Sequence, residues 1–279
     1  MDNEYVKYNF SYDLVFKKAL ELCPKGVVAL VKEFIPELKD IDENEEITFL
    51  KQQNIIGIDL KTTIFDVNIM FANRYIELEM QRSKPEYAIE ARMLKYYADL
   101  VSNSFEKSKD TFNYKPTYCL WFLGFELKND KNVIREYSLY DSKNNKPLLD
   151  DSKIIIVEFA KFKKYGYNTN RWYNLFVTNN LNELRGDPVM DELVNSIKNL
   201  NNDDDFVLQI DARERAEREY YANINAAKEN GINEGIKAGV VEGEKNKTIE
   251  IAKKLKEMNL SVEQIIIATG LTKAEIESL

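Results

Sequence analysis

Apolar and polar positions along the chain change period several times, and these changes predict the order of its elements. Apolar residues recur at helical spacing over 10–21, where Ser11 is a plausible N-cap, and again over 27–34 and 86–105. Period-2 alternation over 47–81, a continuous apolar run at 118–125, and shorter runs at 136–140 and 154–159 predict strands. This order is typical of an α/β sandwich built around a mixed sheet.

From about residue 189 the chain is charged and helical in pattern. Four glycines recur every fourth residue, at 231, 235, 239 and 243. Each costs a helix about 1 kcal/mol relative to alanine. Composition favours a flexible, solvated linker here, and the alternative is a stripe of small residues where two helices approach closely.

The last twenty residues predict two short, capped helices. Ser261 with Gln264, and Thr272 with Glu275, each fit a capping box, and Gly270 lies where the first helix would end. We therefore expect a domain over 1–188, a charged helical segment with the glycine linker over 189–258, and a small two-helix module over 259–279. Acidic residues in the last helix make a packing or self-association module a better interpretation than a DNA-reading helix.

The amino-acid composition excludes several classes of catalytic and metal site. The 279 residues contain no histidine, which excludes Ser-His-Asp triads, Cys-His dyads and His-ligated zinc. Two cysteines, no long apolar run and an acidic N-terminus predict a protein of the cytoplasm with no membrane span. The net charge of −8 counts modestly against tight, non-specific DNA binding.

The segment 64–81 reads as a β-hairpin and carries the candidate chemistry. A two-residue loop at 72–73, or a four-residue loop at 71–74, pairs residues whose numbers sum to 145. Asp66 then lies opposite Glu79, and Asn68 lies opposite Glu77, with the apolar residues on the other face. Like charges placed directly opposite are destabilising, so we expect this polar face to be open to water or to hold a cation. Carboxylates suit Mg²⁺, but a simple solvated face is about equally plausible on periodicity alone.

These residues also resemble a known family. Asp66 followed by Glu79-Met-Gln81 is similar to the active-site motif of the PD-(D/E)XK nuclease superfamily, and more narrowly to the Rpn family of recombination-promoting nucleases and transposases. The resemblance extends to Asp13-Leu-Val-Phe-Lys17, to Asp59 and Lys61, to Arg92, and to the C-terminal tail. It implies a PD-(D/E)XK-like mixed sheet flanked by helices, followed by a helical C-terminal extension.

The resemblance also implies roles for individual residues. Asp66 and Glu79 would bind Mg²⁺, or Mn²⁺ in its place, and Gln81 stands where the superfamily usually has a catalytic lysine. Glutamine can hold a water molecule but carries no positive charge. Asp13 is a candidate accessory acid, although a helix-start role is the better interpretation. Arg92 is a candidate contact to a DNA phosphate.

Two functions follow as hypotheses. The first is a Mg²⁺-dependent DNA endonuclease that hydrolyses phosphodiester bonds, with a part in recombination implied by the resemblance. The second is a catalytically weak nuclease fold that acts as a DNA-binding or assembly module, forming a homo-oligomer through its C-terminal helices. Strand transfer, as in a transposase, is suggested by the family alone.

Overall fold

The computed structural model describes residues 5–50, 66–85, 87–105, 113–149, 151–179 and 181–279. The α-helices are α1 (Asp13–Leu22), α2 (Pro24–Phe34), α3 (Ile89–Ser104), α4 (Arg171–Tyr173), α5 (Pro188–Asn201), α6 (Asp204–Glu257), α7 (Val262–Thr269) and α8 (Lys273–Glu277). The strands are β1 (Ile47–Phe49), β2 (Val67–Phe71), β3 (Arg74–Gln81), β4 (Thr117–Leu123), β5 (Ile134–Tyr137), β6 (Tyr140–Asp141), β7 (Lys146–Pro147) and β8 (Lys153–Glu158).

Six of these strands form one mixed sheet in the order β1-β2-β3-β4-β8-β5. The hairpin of β2 and β3 is antiparallel, whereas β3, β4 and β8 run parallel, and β5 returns antiparallel to β8. Every residue of β4 is buried, as the continuous apolar run predicted for a central strand. The predicted mixed α/β architecture is confirmed.

Each face of the sheet packs on a different set of helices. On one face, Phe122 of β4 contacts the rings of Phe16 from α1 and Phe34 from α2, at centroid distances of 5.9 and 5.6 Å. On the other face, α3 lays Met93 and Tyr96 over Trp121 of β4. Both faces are therefore covered, and the hairpin side chains that point toward α3 are enclosed.

One predicted helix start is wrong. Tyr12, not Ser11, is the N-cap of α1, and its side chain makes no capping bond. The Ser11 hydroxyl donates instead to Asn9 Oδ1 at 2.7 Å. A serine two residues after an asparagine has a local partner that competes with the helix terminus, so the presence of Ser11 did not locate the cap.

Contacts divide the chain into one compact unit that ends at Leu208 and a second that comprises Gln209–Leu279. The second unit contains most of α6, whose residues 215–247 are all exposed. The four glycines lie within this continuous helix, where composition favoured a flexible, solvated linker. At its end Ala252, Ile265 and Ile276 form a small core with α7 and α8.

Both predicted capping boxes are present in α7 and α8, and Gly270 adopts a left-handed conformation, with φ of 72°, after α7. Across the described part of the chain, none of the helices is both long and apolar enough to cross a lipid bilayer.

Candidate active site on the β2–β3 hairpin

The hairpin has the register that its alternation predicts. Val67 pairs with Leu78 and Asn68 pairs with Glu77, so paired residues sum to 145. The turn is Ala72-Asn73, with φ of 47° and 59°. Positive φ at both central residues gives a two-residue loop the twist that joins antiparallel strands. The two-residue form of the predicted loop is therefore confirmed.

Asp66 and Glu79 are brought together where this register continues one residue before β2. The Asp66 amide donates to Glu79 Oε2 at 3.2 Å, and the Met80 amide donates to Asp66 Oδ2 at 2.9 Å. Each carboxylate is thus anchored to the backbone of the opposite strand. These reciprocal bonds hold the two acidic groups side by side and restrict their rotation.

The polar face of the hairpin is enclosed around Glu77 and Glu79, so of the two expected alternatives, a face open to water or one that holds a cation, the first does not describe these two residues. Glu77 and Glu79 are 0% and 1% exposed, whereas Asp66 and Gln81 keep intermediate exposure. The cause is α3, whose buried residues cover this side of the sheet. Strand alternation shows which residues share a face, but it does not show what packs against that face.

This enclosure has a strong electrostatic consequence. Burial raises the pKa of Glu79 well above its usual value, and the charges of Asp66 and Glu77 raise it further. Burial also raises the pKa of Glu77 to about 8. Three carboxyl groups close together in a poorly solvated place cannot all ionise without a compensating positive charge.

Glu77 has a further partner deep in the sheet. The Cys119 thiol donates to Glu77 Oε2 at 2.8 Å, and the Trp121 indole donates to Cys119 Sγ at 3.1 Å. Glu77 Oε1 is buried without a hydrogen-bond partner. Cys119 and Trp121 alternate on β4, a strand parallel to β3, and no pattern of residues linked them to the hairpin.

Arg92, on the second turn of α3, points at the same cluster. Its guanidinium forms an ion pair with Glu79 Oε1 and donates to Gln81 Oε1 at 3.0 Å. It also donates to the Tyr87 hydroxyl at 3.3 Å and lies 4.8 Å from the centre of the Tyr96 ring. Its predicted contact to a DNA phosphate stays a prediction, and in this structure its charge is directed to Glu79.

Gln81 is held in one orientation by its two neighbours. Its oxygen accepts from Arg92, while its Nε2 donates to the Ser83 carbonyl at 3.0 Å. The backbone of Gln81 is held as well, since the Gly124 amide donates to the Gln81 carbonyl at 3.0 Å. A Cβ atom on Gly124 would overlap the carbonyl oxygen of Arg82, so this close approach requires glycine.

Asp13 begins α1, and its Oδ1 accepts a hydrogen bond from the Leu14 amide at 2.8 Å. The same helix start lies beside the end of β3, because the Arg82 guanidinium stacks 3.9 Å from the centre of the Tyr12 ring. The helix-start interpretation of Asp13 is consistent with its bond, and its role as accessory acid stays a prediction. Asp59 and Lys61 lie outside the described residues.

The donor set around Asp66 and Glu79 fits a hard divalent cation. Mg²⁺ usually takes one or two protein carboxylates and keeps several waters, so two adjacent carboxylates suffice. A positive charge would also relieve the repulsion that raises the pKa of Glu79. Within the ranges that the structure describes, no group of three or more Asp, Glu, Cys or His side chains is placed to hold a metal ion.

Comparison with known protein families gives a match over most of the chain. The family model described as PD-(D/E)XK nuclease family transposase matches residues 12–227. This range contains the whole sheet and all five candidate site residues, from Asp13 to Arg92. No curated protein and no solved structure matches the chain.

Proposed function

The chain belongs to the PD-(D/E)XK nuclease family transposases, and from this premise we propose that it is a metal-dependent DNA endonuclease with its active centre at Asp66, Glu79 and Gln81. Members of this class of nuclease generally use divalent metals. Mg²⁺ is the proposed cofactor, and Mn²⁺ is the proposed substitute. The proposed setting is the cytoplasm, which suits the two free cysteines, Cys23 and Cys119.

One observation carries this proposal. The carboxylates of Asp66 and Glu79 are held side by side by bonds to each other's strands, in a place where burial and mutual repulsion raise the pKa of Glu79. Such an arrangement is unfavourable for stability alone, because like charges on paired strands repel. It is favourable for binding a divalent cation, which gains from every nearby negative charge.

The protein's own residues would divide the work as follows. Asp66 and Glu79 would hold the metal, which when bound lowers the pKa of a water molecule and neutralises charge on a phosphodiester. Gln81 Nε2 donates one N–H to the Ser83 carbonyl. The second N–H of the Gln81 side-chain amide could orient a water molecule or a phosphate oxygen. Burial of Glu79 under α3 would keep bulk water away from its carboxylate.

The test uses purified full-length protein, supercoiled plasmid DNA, and Mg²⁺ or Mn²⁺. We expect nicking that stops on chelation and falls at least about 100-fold in Asp66→Asn and in Glu79→Gln. Glu90→Gln is the matched control, because Glu90 is an exposed acid of α3 that pairs with Lys128 at 2.8 Å. Full activity in either site variant, or nicking that persists in chelator, would contradict the assignment.

A second candidate function is a catalytically weak nuclease fold that works as a DNA-binding or self-associating module. Its support is the exposed apolar row on α6, where Ile232, Ile236 and Val240 are 53%, 59% and 54% exposed beside the glycine positions. A homo-oligomer through these helices would bury that row. Blank cleavage assays with both metals, together with a dimeric mass by light scattering, would favour this function over the first.

A further inference from the structure

Arg92 and Gln81 form one unit at the proposed active centre, although they come from different elements. Gln81 ends β3, and Arg92 lies on α3. The guanidinium reaches the glutamine oxygen at 3.0 Å and at the same time pairs with Glu79. The superfamily that this chain resembles usually has lysine at the position of Gln81. Gln81 on β3 lacks the positive charge of that lysine, but the Arg92 guanidinium on α3 provides a positive charge within hydrogen-bond distance of Gln81.

The surroundings of Arg92 fix its position. The guanidinium stacks near two rings, 4.8 Å from the centre of Tyr96 and 5.4 Å from the centre of Trp121. The Tyr87 hydroxyl accepts a further hydrogen bond at 3.3 Å. The Arg92 side chain is 27% exposed, so part of it remains accessible to solvent. Aromatic stacking and a rigid fork of donors suit arginine better than lysine at such a site.

The orientation of the Gln81 amide follows from the same contacts. Arginine can only donate, so it must face the amide oxygen, and the Ser83 carbonyl can only accept, so it must face the amide nitrogen. Arg92 therefore draws electron density toward Gln81 Oε1 and leaves one N–H of the amide to point elsewhere. A neutral amide polarised in this way is a stronger donor than an isolated glutamine.

We infer that Arg92 is a positioning residue that supplies, from α3 and through Gln81 and Glu79, the positive charge that lysine supplies from the strand in related nucleases. This inference rests on the proposed nuclease function and deepens it. It is an alternative to the DNA-phosphate contact predicted for Arg92, because here the guanidinium pairs with Glu79 and Gln81.

The experiment removes the positive charge of Arg92 on α3 and places a lysine at position 81 on β3. Three variants are made: Arg92→Met, Gln81→Lys, and the two combined. Arg92→Met keeps an unbranched side chain but loses the charge, and we expect kcat for plasmid nicking to fall about 100-fold with KM for DNA changed less than about 3-fold. The double variant, with lysine at position 81, should recover at least about 10-fold of the lost kcat.

Lys95→Met is the matched control. Lys95 lies one turn further along α3 and pairs with Asp99 at 2.7 Å, so this variant removes a charge from the same helix away from Glu79. It should keep the wild-type kcat. Circular dichroism and thermal unfolding check that each variant is folded. An unfolded Arg92→Met is replaced by Arg92→Gln, which keeps polarity and donors without charge.

A second readout does not depend on cleavage. Mn²⁺ binding to the DNA-free protein is measured by calorimetry, with Asp66→Asn to identify the site. Removing the competing cation next to Glu79 should tighten Mn²⁺ binding about 10-fold in Arg92→Met, and the double variant should return toward the wild type. A purely structural role for Arg92 would not give this reversal.

The outcomes separate this inference from the proposed function. Wild-type kcat in Arg92→Met, a change confined to KM and its salt dependence, or a folded double variant without recovery would each overturn the role of Arg92 while leaving a nuclease. A wild-type protein that cleaves nothing would refute the proposed function. In that case the reversal of Mn²⁺ affinity still supports the placement of charge by Arg92, and its absence overturns it.

Discussion

The buried carboxyl group of Glu77 predicts that the metal-free protein loses stability as the pH rises. Burial raises the pKa of Glu77 from 4.5 to about 8, although the Cys119 thiol lowers it, and Asp66 adds repulsion. The unfolded chain ionises this group near its ordinary pKa, whereas the folded protein keeps it protonated until a higher pH. Between the two values the folded state binds more protons, so the free energy of unfolding falls as the pH rises.

The size of the effect follows from this window. Each pH unit inside it removes about 1.4 kcal/mol, which gives a loss of about 3 kcal/mol at pH 7. Glu77→Gln abolishes the titration and still offers an oxygen to the Cys119 thiol. We therefore expect the variant to be about 3 kcal/mol more stable than the wild type at pH 7.

The assay is urea unfolding in chelator at about pH 5, 6, 7 and 8, followed by tryptophan fluorescence. The advantage of Glu77→Gln should be small at the lowest pH and grow through the series. Glu90→Gln is the control, because Lys128 lowers the pKa of Glu90 and its removal should bring no gain. An advantage of constant size at every pH, or a variant less stable than the wild type, would refute the reasoning.

Two further predictions concern the ends of the parallel strands. Gly124→Ala should cost about 1–3 kcal/mol, because its Cβ would overlap the Arg82 carbonyl, and nicking should fall about 10-fold as Gln81 shifts; Gly243→Ala, at an open position, should lose neither. Lys161→Met should cost about 3 kcal/mol in denaturant unfolding, because Lys161 is fully buried and pairs with buried Glu158 at 2.9 Å. The exposed Lys164→Met should stay within about 0.5 kcal/mol of the wild type, and equal effects of the two lysine variants would contradict the prediction.

The features that could be predicted are those that local chain geometry determines. Strand period and turn residues sufficed for the register that pairs Asn68 with Glu77, because a slip of one residue would have exposed the apolar face. The capping boxes at Ser261 and Thr272 were equally local, since each bond spans three residues. The family match adds the identity of the fold over residues 12–227.

The features that could not be predicted depend on partners that meet only in three dimensions. The Cys119 thiol reaches Glu77 across 42 positions of sequence, and Arg92 reaches Glu79 from a separate helix. Periodicity placed Glu77 and Glu79 on a polar face, and it carried no information on the helix that covers them. The electrostatics of the centre arise from that cover, so they were not accessible from residue patterns alone.

The long helix α6 determines where the chain is expected to unfold locally and to be cut by proteases. All residues of α6 from 215 to 247 are exposed, so no buried side chains of this stretch stabilise its backbone hydrogen bonds. Its four glycines together weaken it by about 4 kcal/mol relative to alanine. Transient opening there disturbs neither hydrophobic core, and its free energy should lie near the bottom of the range for this protein. Limited proteolysis should therefore cut first in this stretch and release the C-terminal residues as a discrete fragment while the sheet remains intact.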